Sequence, residues 1–149
     1  MKENLMRNVE SEIRETVQAW LSAVQSLDFQ AARKLWDGEF DGLLYQPEEH
    51  EFPMTDWASI ERYWDNVPQL VEAVRQWAEI ASEVTVLDDV AMVFTRLDTS
   101  IKIQDVPVTF DGVVRCSMGL HRKNGSWLLV HYHESRLVAV DDVVAALVG

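Results

Sequence analysis

Leu5, Val9, Ile13, Val17, Trp20, Leu21, Val24 and Leu27 recur at steps of three and four residues. That spacing places them on one face of a long amphipathic helix, roughly residues 4–26. Glu10, Glu12, Arg14 and Glu15 fall on the opposite, solvated face. Asp28 is a good N-cap for a second, short helix running through Trp36, with Phe29, Ala32, Leu35 and Trp36 on one side. Asp37-Gly38 ends it, and Phe40 to Tyr45 reads as a short strand. Pro47 then breaks that strand, because proline is unwelcome inside a sheet. Thr55 or Asp56 caps a third helix, in which Trp57, Ile60, Trp64 and Val67 share a face and Pro68 closes the run. Leu70 to Trp77 suits either a short helical turn or the start of a strand.

From Ile80 onward the period changes to two. Val84 to Leu87 is β-branched and stops at Asp88-Asp89, and Val90 to Ile103 reads as a long strand. Residues 104–112, with Pro107 and Asp111-Gly112, read as a connection or a bulged strand start. Val113 to Lys123 and Ser126 to Val138 form a hairpin around Asn124-Gly125, since a type I′ turn needs φ > 0 at both central positions. Asp141 caps a short terminal helix through Leu147. Helices first and an antiparallel sheet afterwards define an α+β domain, with helices packed on one side of a curved sheet.

Composition narrows the possibilities. The chain has 149 residues, 48% of them hydrophobic, with six Trp, five Phe and three Tyr. That is one domain with a substantial core, spanning 1–149. A formal charge of -12 leaves no basic stripe for nucleic acid or for anionic membrane surfaces. The expectation is a soluble, cytoplasmic protein with neither signal peptide nor transmembrane segment. The single cysteine, Cys116, sits in an apolar strand context and reads as a small core residue.

The hairpin carries a more specific signal. The run H-R-K-N-G-S-W-L-L-V-H-Y-H-E-S (His121 to Ser135) and the T-R-L segment (Thr95 to Leu97) resemble the calcium/calmodulin-dependent protein kinase II association domain. The order of elements resembles the wider nuclear-transport-factor-2-like, cystatin-like cone, which includes SnoaL-like polyketide cyclases and ketosteroid isomerases. The resemblance implies three N-terminal helices on a curved antiparallel sheet, a pocket between them, and homodimers through the outer sheet face. It also implies pocket arginines that hold carboxylate-bearing molecules. One falls on Arg96; the other two fall on Met118 and Glu134. Arg115 or Arg136 could substitute, but Arg115 is an odd number of positions from Met118, so a regular strand turns them to opposite faces. At the position of the isomerase general base, before Pro47, stands Gln46, whose amide cannot take a proton at neutral pH.

Several residues remain as candidates. His131 and His133 share a face of one strand. A metal site would need a third ligand, and neither His121 nor His50 is brought there by a motif, so no metal and no cofactor is expected. The two histidines read as acid/base residues or as structural ones. Arg96 needs an acidic partner, such as Asp98 or Glu134, or a pocket wall. Tyr45, Trp36 and Trp64 are pocket candidates, being amphipathic aromatics on or beside the roof. The reading is a small-molecule-binding SnoaL-like protein for an apolar or carboxylate-bearing ligand, held by Arg96 or Arg115; as an enzyme it would be a cofactor-independent isomerase, cyclase or hydrolase with His131 or His133 as acid/base. The competing reading is a non-catalytic association module.

Overall fold

The computed structural model describes residues 2–138 and 140–148, the side chains of residues 141–143 excepted. In chain order it contains α1 (Lys2–Gln25), α2 (Phe29–Arg33), β1 (Leu44–Gln46), α3 (Trp57–Leu70), β2 (Val71–Leu87), β3 (Val90–Ile103), β4 (Thr109–Lys123), β5 (Ser126–Arg136) and α4 (Val140–Val148). The sheet order is β1-β5-β4-β3-β2. β2 to β5 form an antiparallel meander, and β1 adds to β5 in parallel.

The apolar face of α1 packs on the inner face of this sheet. Ile13, Val17, Trp20, Leu21 and Ala23 are buried, whereas Leu5 projects past the sheet and is exposed. The Asp28 carboxylate accepts from the Ala31 N–H and starts α2. That helix stops at Arg33, and Trp36 instead bridges in parallel to Leu129 beside β5. The short strand forms at the end of the predicted Phe40 to Tyr45 stretch and runs to Gln46. Pro68 does not close α3. A proline near a helix end removes a single backbone bond, and the Val71 N–H still caps the Val67 carbonyl, so the helix continues to Leu70 and passes directly into β2. The ambiguous stretch Leu70 to Trp77 is therefore almost wholly strand, and β2 begins nine residues before the period of two is evident.

The sheet curves because its strands are irregular. β2 shows register shifts between Val71 and Ala73, Val74 and Gln76, and Glu79 and Ala81. Each such bulge bends the strand and increases its twist, wrapping the edge of the sheet around α1. Another bulge lies in β5. Gly119 pairs with His131 while Leu120 pairs with Leu129, leaving Val130 as the extra residue. At the hairpin, Asn124 and Gly125 both have positive φ, 50° and 81°.

Eight aromatic rings join the helices to the sheet. Trp20 lies 5.3 Å from Tyr132, 5.7 Å from Trp36 and 5.7 Å from Trp64 between centroids. Trp64 in turn meets Phe29 and Trp57, and Tyr45 meets Tyr63 and Tyr132. Burying one such large apolar side chain stabilises by about 1.5–3 kcal/mol. α4 exposes Val140, Val144, Leu147 and Val148. The expected capping by Asp141 concerns a side chain outside the described residues.

Candidate functional site

Between α1, α3 and the inner sheet face lies a cavity of about 680 Å³. Its wall is mostly aliphatic and aromatic, with Val24, Leu27, Val67, Val74, Trp77 and Ile101 contributing. Exposed lining residues, including Glu49, His50, Leu70 and Phe110, mark the mouth. The polar groups gather at one end, where β5 runs beside the loop that follows β1.

Glu134 is the central group at that end. Its side chain points inward from β5 and is 9% exposed. The Tyr132 hydroxyl donates to Glu134 Oε2 at 2.5 Å, and the Glu48 backbone N–H donates to Oε1 at 3.2 Å. Burial pushes the Glu134 carboxyl up to about 7, against the hydrogen bonds from Tyr132 and the Glu48 backbone; the charges of Glu48 and Glu49 push the same way as burial. Beside it, Arg136 grips Glu48 with two bonds, Nε to Oε1 at 2.7 Å and Nη2 to Oε2 at 3.1 Å. The remaining arm of Arg136 donates to Thr99 Oγ1 at 3.3 Å. Toward the mouth, the Tyr63 hydroxyl donates to Glu49 Oε1 at 2.5 Å. Tyr45 stacks on Tyr132, 5.0 Å between centroids. Burial raises both phenols well above their ordinary range, so they stay protonated and serve as donors.

The residues anticipated from the sequence distribute differently. Tyr45 lines the cavity. His131 and His133 are on the outer sheet face, directed away from it. The reason is the Val130 bulge. Trp127 and Leu129 face inward, and strict alternation would carry His131 and His133 inward with them; the extra residue inverts the parity and turns Tyr132 and Glu134 inward instead. Arg96 and Arg115 are also outside. They pair directly across β3 and β4, and no bulge intervenes in β4 between Arg115 and the inward Met118. Arg96 is exposed, with neither an internal ion pair nor a place on the cavity wall. Trp36 and Trp64 are buried within the aromatic core, behind the lining. Gln46 turns its amide to the Pro47 and His50 carbonyls. Cys116 is buried at 3.4 Å from the Tyr132 hydroxyl, and burial pushes its thiol up to about 12, which leaves it inert.

Glu134, Tyr132, Glu48, Glu49 and Tyr63 are polar residues of the site that sequence reasoning did not assign to it. The available signal was the alternation of Tyr132 and Glu134 with the two histidines. It becomes readable only once the bulge is known. Among the described residues, no three His, Cys, Asp or Glu side chains form a metal-binding group, and no helix is long and apolar enough to cross a membrane.

A cone of helices on a curved sheet, with a cavity between the layers, defines the nuclear-transport-factor-2-like class. The chain belongs to the SnoaL-like domain family, whose model matches residues 13–140. Among solved structures, a nuclear-transport-factor-2-like superfamily protein from Salmonella enterica is similar at a TM-score of 0.77 and 17% identity, covering 89% of this chain and 94% of the Salmonella chain. A candidate dehydratase of the same family from Streptomyces avermitilis is similar at TM-score 0.75 and 15% identity, covering 87% of this chain and 96% of that one. A candidate calcium/calmodulin-dependent kinase II association domain from Exiguobacterium sibiricum follows at 0.68 and 13%, covering 87% and 93%. No curated protein matches the chain by sequence.

Proposed function

We propose that this protein binds a small, mainly apolar molecule in the cavity and that Glu134 moves a proton to or from it. The observation that carries this reading is a buried carboxyl poised at about 7 on the wall of an apolar cavity. Such a group is divided between acid and base at neutral pH, where general acid–base catalysis is most effective. Tyr132 supports the ionised form by its hydrogen bond, and Tyr45 and Trp77 help to exclude water. Proton transfer at carbon is the chemistry of a dehydratase, the activity suggested for the Streptomyces avermitilis relative. The histidines on the outer face have no part in it.

The test is a melting screen with small planar aromatics and alicyclic ketones, followed by solvent deuterium exchange into the ligands that bind. A ligand at a hundred times its Kd stabilises the native state by about 2.7 kcal/mol. Exchange should rise through an inflection near pH 7 and fall about a hundredfold or more in Glu134→Gln. Equal exchange in the variant would remove Glu134 from the reaction.

A second property has separate support. Ile80, Leu87, Val90, Met92 and Phe94 are exposed on the outer face of β2 and β3. We infer that this face joins two copies of the chain, with the cavity left open on the other side of each sheet. An association role without catalysis would need only this surface.

A further inference from the structure

The charges at the polar end of the cavity do not balance. Three carboxylates line it, Glu48, Glu49 and Glu134, against one guanidinium, Arg136. The charge of Arg136 is already paired, since Nε and Nη2 hold the Glu48 carboxylate and Nη1 donates to Thr99. The arginines that could have received an anion, Arg96 and Arg115, are on the far side of the sheet. Glu49 has one oxygen committed to Tyr63 and the other without a partner among the described residues. Burial raises the Glu134 carboxyl, and no cationic side chain among the described residues pairs with it to offset that. The rings of Tyr45 and Tyr63, 5.6 Å apart, line the same end, Tyr45 stacked on the Tyr132 that bonds Glu134 and Tyr63 bonded to Glu49. Aromatic faces and carboxylates together favour a cation.

We propose that the ligand of this cavity carries a basic amine, which enters as an ammonium and takes Glu134 as its counter-ion, with Glu49 guiding it at the rim. The apolar wall then holds the hydrocarbon body of a hydrophobic amine, and carboxylate-bearing molecules are rejected by like charge. This rests on the reading of the cavity as a ligand site with Glu134 as its proton-handling group.

The groups that face Glu134 are Tyr132 on its own strand, Cys116 on β4, Tyr45 on β1, Tyr63 on α3, and Glu48 and Glu49 in the loop after β1. Arg136 and His50 also line this end. At low pH an arriving ammonium must displace the Glu134 proton; at high pH it meets a carboxylate already formed. Affinity for an amine should therefore climb with pH and level off once Glu134 is ionised.

Three probes of one shape separate the possibilities: 4-phenylbutylamine, 4-phenylbutanol and 4-phenylbutyrate, titrated by calorimetry from pH 5.5 to 8.5. The amine is expected to bind about tenfold or more tighter than the alcohol at pH 8, and the carboxylate weakest of all. Amine affinity should climb by up to about tenfold per unit below pH 7, while the alcohol stays flat. Glu134→Gln, checked for a cooperative melt, should abolish that slope and most of the amine preference. Glu49→Gln, at an exposed position, should weaken the amine several-fold without touching the fold. An alcohol or carboxylate that binds as tightly as the amine overturns the inference while leaving the cavity a ligand site. An amine preference untouched by both variants overturns the counter-ion assignment. Failure of all three probes to bind overturns the amine inference and the ligand-site reading together.

Discussion

Glu134 costs the fold stability in proportion to its ionisation. Its folded value, about 7, lies above the ordinary 4.5, so the native state binds the proton more tightly than the unfolded chain. The cost is absent below pH 4.5, grows between 4.5 and 7, and is complete above that. A displacement of this size corresponds to about 3 kcal/mol. Urea unfolding of the wild type and Glu134→Gln should thus show the wild type losing about that much relative to the variant between pH 4 and pH 8. A constant difference across that range would mean that the carboxyl is better solvated than its burial implies. Asp37, also buried, behaves differently. His121 Nε2 lies 2.8 Å and Lys123 Nζ 3.1 Å from its oxygens, so its charge is compensated where that of Glu134 is not.

At the scale of elements, the wall of the cavity depends on how α3 starts. The Asp56 carboxylate accepts from the Ser59 N–H at 2.8 Å and from its hydroxyl at 2.7 Å. Asp56→Ala should cost about 1 kcal/mol, read as a lower urea midpoint with an unchanged slope. Because Ser59, Tyr63 and Val67 reach the cavity from this helix, ligand affinity should fall with it. Elements were the most legible level of the sequence. The α1 periodicity, the Asp28 and Asp56 caps and the Asn124-Gly125 turn are local chemistry, and each forms where its residues indicate. β3 runs over Val90 to Ile103 as alternation predicts. What could not be read is the parity of β5. One extra residue at Val130 exchanges inside for outside, and it is set by pairing with β4 rather than by any signal in the strand itself. The candidate site therefore fell on the wrong side of its own strand: His131 and His133 were visible as chemistry, whereas Glu134 looked like a departure from a relative's arginine. The missed start of β2 has the same origin, because its bulges break the alternation that announces a strand.

For the whole molecule, the outer face of the sheet is where the proposed contact between two copies would form. Met92 and Phe94 are 55% and 42% exposed in the middle of it, beside Arg96. Phe94→Lys should convert a dimer to a monomer by light scattering, since a buried unpaired charge at a contact costs several kcal/mol. A wild type that is already monomeric at micromolar concentration would rule out the face as an interface. The cavity opens elsewhere, so ligand binding should survive in the monomeric variant. The overall charge of -12 adds a longer-range effect. An acidic molecule attracts cations and repels anions, so entry of an amine should slow as salt is added.

The tryptophans divide in a way that makes the protein its own reporter. Trp20, Trp36, Trp57 and Trp64 lie in the helical aromatic cluster, and Trp127 is buried beneath Arg122 at the hairpin. Trp77 alone among them lines the cavity. The fluorescence of the cluster should therefore follow folding, and that of Trp77 should respond to a molecule bound in the cavity. A Trp77→Phe variant should keep the unfolding signal and lose the intensity change on ligand addition, so that one emission spectrum separates the two events without a label.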